Sequence, residues 1–173
     1  VSFNYSIADV NGATVAGLAN LDITPVNDAP TTTPVTLASI VEDSGARLIT
    51  QAELLANAND VDGDSLTASG LTIATGSGSL VDNGDGTWFY TPALNDDTQV
   101  SFNYSIADGN GGSVAGSANL DITPVNDLPI VPPLGINLAP IAEDSGARLI
   151  TQAELLATIV DPDGDPITAS NLA

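Results

Sequence analysis

Ile122-Thr123-Pro124-Val125-Asn126-Asp127-Leu128-Pro129 decides the reading of this chain, because it occurs again, one residue altered, as Ile23-Thr24-Pro25-Val26-Asn27-Asp28-Ala29-Pro30. Each copy follows an alternating apolar run and precedes a proline-punctuated entry into new sequence, so each reads as a connector between consecutive β domains. Val1 to Pro30 matches Val100 to Pro129 at an offset of 99 residues, with differences only at positions 10, 13, 14, 18 and 29. Glu42 to Ala56 recurs unchanged as Glu143 to Ala157 at an offset of 101, so two extra residues follow the second connector. The period is that of one small domain. Residues 28–127 are therefore expected to form one whole repeat, 1–27 the tail of a preceding one and 128–173 the opening of a following one. The chain is expected to start and stop in mid-domain.

Working outward from the second connector, Val100, Phe102, Tyr104 and Ile106 alternate with Ser101, Asn103, Ser105 and Ala107, the period of a half-buried strand. Val114, Gly116, Ala118, Leu120 and Ile122 continue the alternation after Asp108-Gly109-Asn110-Gly111-Gly112, which makes a hairpin. Further strands are expected at Val35 to Val41, Ala46 to Ile49 and Leu66 to Ala74, and a second hairpin joins Leu80 to Asp82 with Thr87 to Tyr90 around Asn83-Gly84-Asp85-Gly86. About seven strands fit an all-β, Greek-key sandwich of immunoglobulin-like or cadherin-like type. One helical turn per repeat interrupts them. Thr50-Gln51-Ala52-Glu53 has the spacing of a capping box, and Thr151 to Glu154 repeats it. Such a turn serves either as a cover for the end of the sandwich or as a contact surface. Trp88, the only tryptophan, alternates with Tyr90 and either fills the core or stacks on a sugar.

Composition narrows the function. Two Lys and Arg against 22 Asp and Glu give a formal net charge of −20, which excludes nucleic acid as a partner and calls for neutralisation. Divalent cations are the natural neutralisers where carboxylates cluster. No cysteine or histidine is present, so disulfides, thiol nucleophiles, the usual zinc ligands and both common catalytic triads are absent. Any enzyme would have to work with carboxylates or hydroxyls, for example Asp60 and Asp97 as acid and base on a glycoside, and the chain is expected not to be one. No apolar run is long enough for membrane insertion.

The chemically loaded runs are Asp60-Val61-Asp62-Gly63-Asp64 and Asp161-Pro162-Asp163-Gly164-Asp165. Carboxylates two apart, with a glycine that permits a sharp turn, converge oxygens on a hard cation. The same run also suits a plain Asp-rich turn whose side chains bond their own backbone. The spacing favours the shared site: Asp28 precedes Asp60 by 32 residues and Asp62 by 34, and the same intervals separate Asp127 from Asp161 and Asp163 once the two-residue insertion is counted.

In these features the chain resembles the cadherin-like tandem repeats of giant repeats-in-toxin adhesins of Gram-negative bacteria. The matching motifs are Glu42-Asp43, Asp60-x-Asp62, Ala107-Asp108-Gly109-Asn110-Gly111 and Val125-Asn126-Asp127-x-Pro129. The resemblance implies calcium between successive domains. At the joint of Asn126 and Asp127 the preceding domain would offer Glu42 and Asp97, and the following one Asp161 and Asp163. At the joint of Asn27 and Asp28 the following domain would offer Asp60, Asp62 and Asp108. Asp64 and Asp165 add a carboxylate to each loop, while Asp82, Asp85 and Asp96 are read as turn residues. Pro25 and Pro124 replace an acidic residue of animal cadherins, and Ala29 and Leu128 an asparagine, so fewer ions per joint are expected.

The implied function is a calcium-stiffened extender of a secreted, extracellular adhesin at the bacterial surface, serving cell adhesion and biofilm formation. Its partners would be neighbouring repeats of the same polypeptide or neighbouring copies end to end. The alternative is a calcium-dependent carbohydrate-binding module built on Trp88.

Overall fold

A computed structural model describes residues 1–172. Nine strands and two short helices follow in order: β1 (Ser2–Ala8), β2 (Thr14–Asn20), β3 (Val35–Val41), β4 (Arg47–Thr50), α1 (Gln51–Leu54), β5 (Thr67–Thr75), β6 (Ser79–Asp82), β7 (Thr87–Thr91), β8 (Val100–Ala107), β9 (Ser113–Thr123) and α2 (Gln152–Leu156).

β3 to β9 build two sheets, one of four strands in the order β3-β9-β8-β5 and one of three in the order β4-β7-β6. β8 and β9 pair antiparallel from Val100↔Leu120 to Ala107↔Ser113, and β3 lies parallel on the outer edge of β9 with a register shift between Leu37 and Ile40. The alternation of β8 does what its period demands: Val100, Phe102, Tyr104 and Ile106 are buried, as are Ala118, Leu120 and Ile122 of β9. From the other sheet come Ile49, Trp88 and Tyr90. Tyr90 meets Phe102 edge-on at 5.3 Å between ring centres, joining the two sheets across the core.

α1 begins with the capping box that its sequence announces. The Thr50 hydroxyl accepts from the Glu53 amide while the Glu53 carboxylate accepts from the Thr50 amide. Its Leu54 is buried, its Leu54 carbonyl accepts the Tyr104 hydroxyl at 2.7 Å, and Gln51 bonds both backbone groups of Ala68. The turn thus covers the end of the sandwich, the first of its two expected roles.

Outside the sandwich the chain behaves differently. β1 and β2 form a separate two-stranded hairpin whose register repeats that of β8 and β9, Phe3↔Ala19 standing for Phe102↔Ala118. No second layer covers it: Phe3 is 52% exposed where Phe102 is 0%. Residues 124–172 hold α2, capped by Thr151 and Glu154 as α1 is by Thr50 and Glu53, and one bridge between Ile130 and Val160. The rest of that segment is irregular.

Candidate metal centre

The two connectors meet the sandwich at opposite ends, and each meets an Asp-rich loop in the same way. At the first joint the Asp28 amide donates to Asp62 Oδ2 at 2.7 Å; at the second the Asp127 amide donates to Asp163 Oδ2 at 2.6 Å. The loops are built alike. Asp60 Oδ1 accepts the amides of Asp62 and Asp64, and Asp161 Oδ1 those of Asp163 and Asp165, so each first aspartate folds its own turn with one oxygen and keeps the other free. Gly63 and Gly164 take the left-handed backbone these turns require, with φ of +80° and +74°.

Three groups of carboxylates offer ligand atoms within 4.8 Å of one another: Asp60, Asp64 and Asp108; Glu42, Asp127 and Asp163; and Asp161, Asp163 and Asp165. In the first, Asp108 is buried at the mouth of the β8–β9 turn, where its Oδ1 accepts the amides of Asn110 and Gly112 and its Oδ2 the Asn27 side-chain amide at 2.9 Å. The Asn27 amide and these backbone donors hold its carboxyl below the usual aspartate range. The second group spans the joint itself. Glu42, 4% exposed at the end of β3, accepts the Val125 amide at 2.6 Å, Asp127 lies in the connector, and Asp163 comes from beyond it. Desolvation, and then the charges of Asp163, Asp43 and Asp161, push the Asp127 carboxyl up.

Asp60 Oδ2 and Asp127 Oδ2 are both shut away from solvent without any hydrogen-bond partner, and each belongs to one of these groups. A buried, unpaired carboxylate oxygen is costly, and a hard cation coordinated only by oxygens removes that cost. The donor set, all carboxylate with Asn amides beside it, fits calcium and offers nothing to a soft metal.

Of the residues read from the sequence, Glu42, Asp60, Asp64, Asp108, Asp127, Asp161, Asp163 and Asp165 enter these groups. Asn27, Asp28 and Asp62 stand beside the first through the hydrogen bonds above. Asn126 lies exposed at the second joint, its side chain donating to the Asp127 carbonyl. Asp97 is exposed and joins no group among the described residues. Asp43 sits at φ +57°, accepts the Asn95 amide and adds its charge to the second joint beside Asp127. Asp82, Asp85 and Asp96 accept the amides of Gly84, Thr87 and Thr98, as turn residues do. Trp88 is 2% exposed, so its ring presents no face to a sugar.

A family model described as a cadherin-like domain matches residues 26–123. No match was found among curated proteins. Among solved structures, an endo-fucoidan hydrolase of glycoside hydrolase family 107 is similar at 19% identity and a TM-score of 0.37, over 72% of this chain and 19% of that one. A nucleoside hydrolase-related protein from Saccharophagus degradans, associated with carbohydrate metabolism, is similar at 14% identity and a TM-score of 0.39, over 57% of this chain and 26% of that one. The chain spans about a fifth to a quarter of the length of these structures.

Proposed function

Because the chain belongs to the cadherin-like domain family, a membership that suggests an extracellular structural or adhesive role, we propose that it is a calcium-rigidified extender. In this reading, sandwiches in tandem hold an adhesive end away from a Gram-negative cell, within a large secreted adhesin of the repeats-in-toxin kind. It serves cell adhesion and biofilm formation, and no catalysis is assigned to the chain. Among the described residues, no helix is long and apolar enough to cross a membrane.

The observation that carries the reading is the pair of orphaned oxygens, Asp60 Oδ2 and Asp127 Oδ2, each facing other carboxylates at a joint with no cationic side chain in the group. Without an ion, the Glu42–Asp127–Asp163 charges repel across the connector and the neighbouring units swing. With one, oxygens from the sandwich, the connector and the following segment share a ligand and the angle between them is fixed. Calcium suits this better than magnesium, because it accepts more oxygens in a looser geometry. Binding to the folded state alone adds stability by mass action, about 2.7 kcal/mol at a hundredfold excess over the dissociation constant.

Burial of Trp88 supports this reading over the carbohydrate-binding one, which needs that ring at the surface. Calorimetric titration with calcium and with magnesium, alongside thermal melts in calcium and in chelator, tests the proposal. Calcium is expected to bind more tightly than magnesium and to raise the melting temperature; a melt indifferent to calcium and chelator overturns the reading.

A further inference from the structure

The sandwich has two outer faces, and the sequence treats them differently. On the four-stranded sheet the residues that alternate with the core are Ser101, Asn103 and Ser105 on β8 and Ser117 and Asn119 on β9, side chains that water solvates readily. On the three-stranded sheet the same alternation turns Leu48, Phe89 and Val81 outward. They stand in one row across the strands, Leu48 opposite Phe89 and Phe89 opposite Val81. They are 44%, 41% and 56% exposed, and none of them belongs to the core. Thr50, Thr87, Thr91 and Ser79 share this face by register, so it carries no charged residue.

Phe89 sits on the central strand of its sheet, paired on both sides, so the row is held in place before any partner arrives. Strand formation does not require it, since threonine at the same positions suits a solvated strand as well. Contiguous apolar side chains left exposed on an ordered sheet mark an interaction surface. The face shares no residue with the carboxylate groups at the joints, so repeats joined end to end leave it open.

Charge identifies the occupant. A basic partner is drawn to the acidic joints, not to a face without charge. For a partner that is itself strongly acidic the opposite holds: at a net charge of −20, two copies repel over most of their surface, and an uncharged face is where they can approach. Glu53, bonded to Thr50 at the edge of the face, is neutralised by Arg47 at 2.8 Å.

We propose that a second copy of this chain covers this face: two sandwiches pack three-stranded sheet on three-stranded sheet about a two-fold axis through Phe89, side by side rather than end to end. Phe89 meets Phe89 of the second copy, Leu48 and Val81 close around the pair, and the four hydroxyl residues form the rim. The contact is isologous and closes at the dimer. Three apolar and four hydroxyl residues fall short of the roughly 20–30 residues a side of a standard interface, so the dissociation constant is on the order of 100 micromolar. Asp85, bonded to Thr87, and Asp43, which lines a hollow with Thr91, stand at the two ends of the face, and their repulsion between copies opposes the contact. No carboxylate takes part in it, so the contact goes beyond the calcium reading and does not rest on it.

Sedimentation equilibrium on the full chain tests the proposal, across a hundredfold range of concentration, at low and high salt, in calcium and in chelator. The mass is expected to rise with concentration and level off at the dimer. High salt should strengthen association several-fold by screening the acids at the rim, whereas a contact made by ion pairs would weaken. Phe89→Thr should weaken association at least tenfold and Val81→Thr several-fold. Threonine keeps the strand propensity of both positions, and thermal melts of each variant check the fold; Val81, on the edge strand β6, decides the matter if Phe89→Thr proves unstable. A chain that stays monomeric at the highest concentration in high salt overturns the proposal and leaves the face to a partner of another kind, as does association unchanged in both variants. Association alongside melts indifferent to calcium removes the calcium reading alone, and calcium-dependent melts without association remove the face contact alone.

Discussion

Asp108 and Asp127 each close a carboxylate group at a joint, yet their surroundings drive their titration in opposite directions. Asn27 and the backbone of the β8–β9 turn stabilise the Asp108 carboxylate, so its contribution is present at neutral pH and is lost as the pH falls through its lowered pKa, below about 3.9. Desolvation and the neighbouring acids disfavour the Asp127 carboxylate, so the penalty stands above its raised pKa and is relieved as the pH falls through it. Carboxyl-carbon NMR titration in chelator should find Asp127 above and Asp108 below the ordinary value, and calcium should draw the Asp127 midpoint down; coincident midpoints would contradict these environments. Asp62→Ala should weaken calcium binding at the first joint and Asp163→Ala at the second, each by about tenfold, whereas Asp85→Ala, whose carboxylate serves only Thr87, should leave affinity unchanged. Equal losses in all three would mean the sites lie elsewhere. The meeting of these aspartates with the connectors was legible because loop and connector occur twice at matched intervals. Asp43 was not, since its charge comes to bear on Asp127 only once the chain is folded, and the exposure of Asp97 was not, because sequence alone does not show which way the 95–98 loop faces.

Glu42 to Ala56 and Glu143 to Ala157 are identical, and they separate local from tertiary causes at the scale of elements. α1 and α2 both form, because a capping box needs only residues within one turn. Arg47–Thr50 is a strand because β7 lies beside it, whereas residues 148–151 have no such neighbour and are not a strand. Thr50→Ala should therefore lower the stability of the sandwich by about 1 kcal/mol, while Thr151→Ala leaves its cooperative unfolding where it was. The two hairpins make the same comparison for burial. Phe102→Ala should cost about 3–5 kcal/mol in urea unfolding, and Phe3→Ala, at a half-exposed position, far less. Strand positions were readable to within a residue or two from period and turn chemistry. The partition into sheets of four and three, and the parallel seat of β3 against β9, depend on pairings between distant segments that no local pattern encodes.

At the scale of the whole molecule, 22 acidic residues against two basic ones set the problem that the joints must solve. The hairpin and the sandwich are tied by short polar contacts, Asn27 to Asp108 and Asp28 to Asp62, and such contacts in a field of like charge hold an orientation weakly. An ion bound at Asp60, Asp64 and Asp108 would reduce the repulsion behind them and, in the proposed reading, fix the connector through Asn27. Since the chain has no cysteine, Ser6→Cys on the hairpin and Ser69→Cys on β5 introduce the only two thiols, both on exposed positions away from the core. Spin labels there report the hairpin–sandwich distance directly. In chelator the distance distribution should be broad, in calcium it should narrow to one population, and Asp62→Ala should restore much of the breadth. High salt in place of calcium distinguishes screening from ligation: it should relieve repulsion without narrowing the distribution, because screening removes a force but supplies no bond. A distribution of equal width in calcium and chelator would remove the stiffening mechanism even if calcium raised the melting temperature.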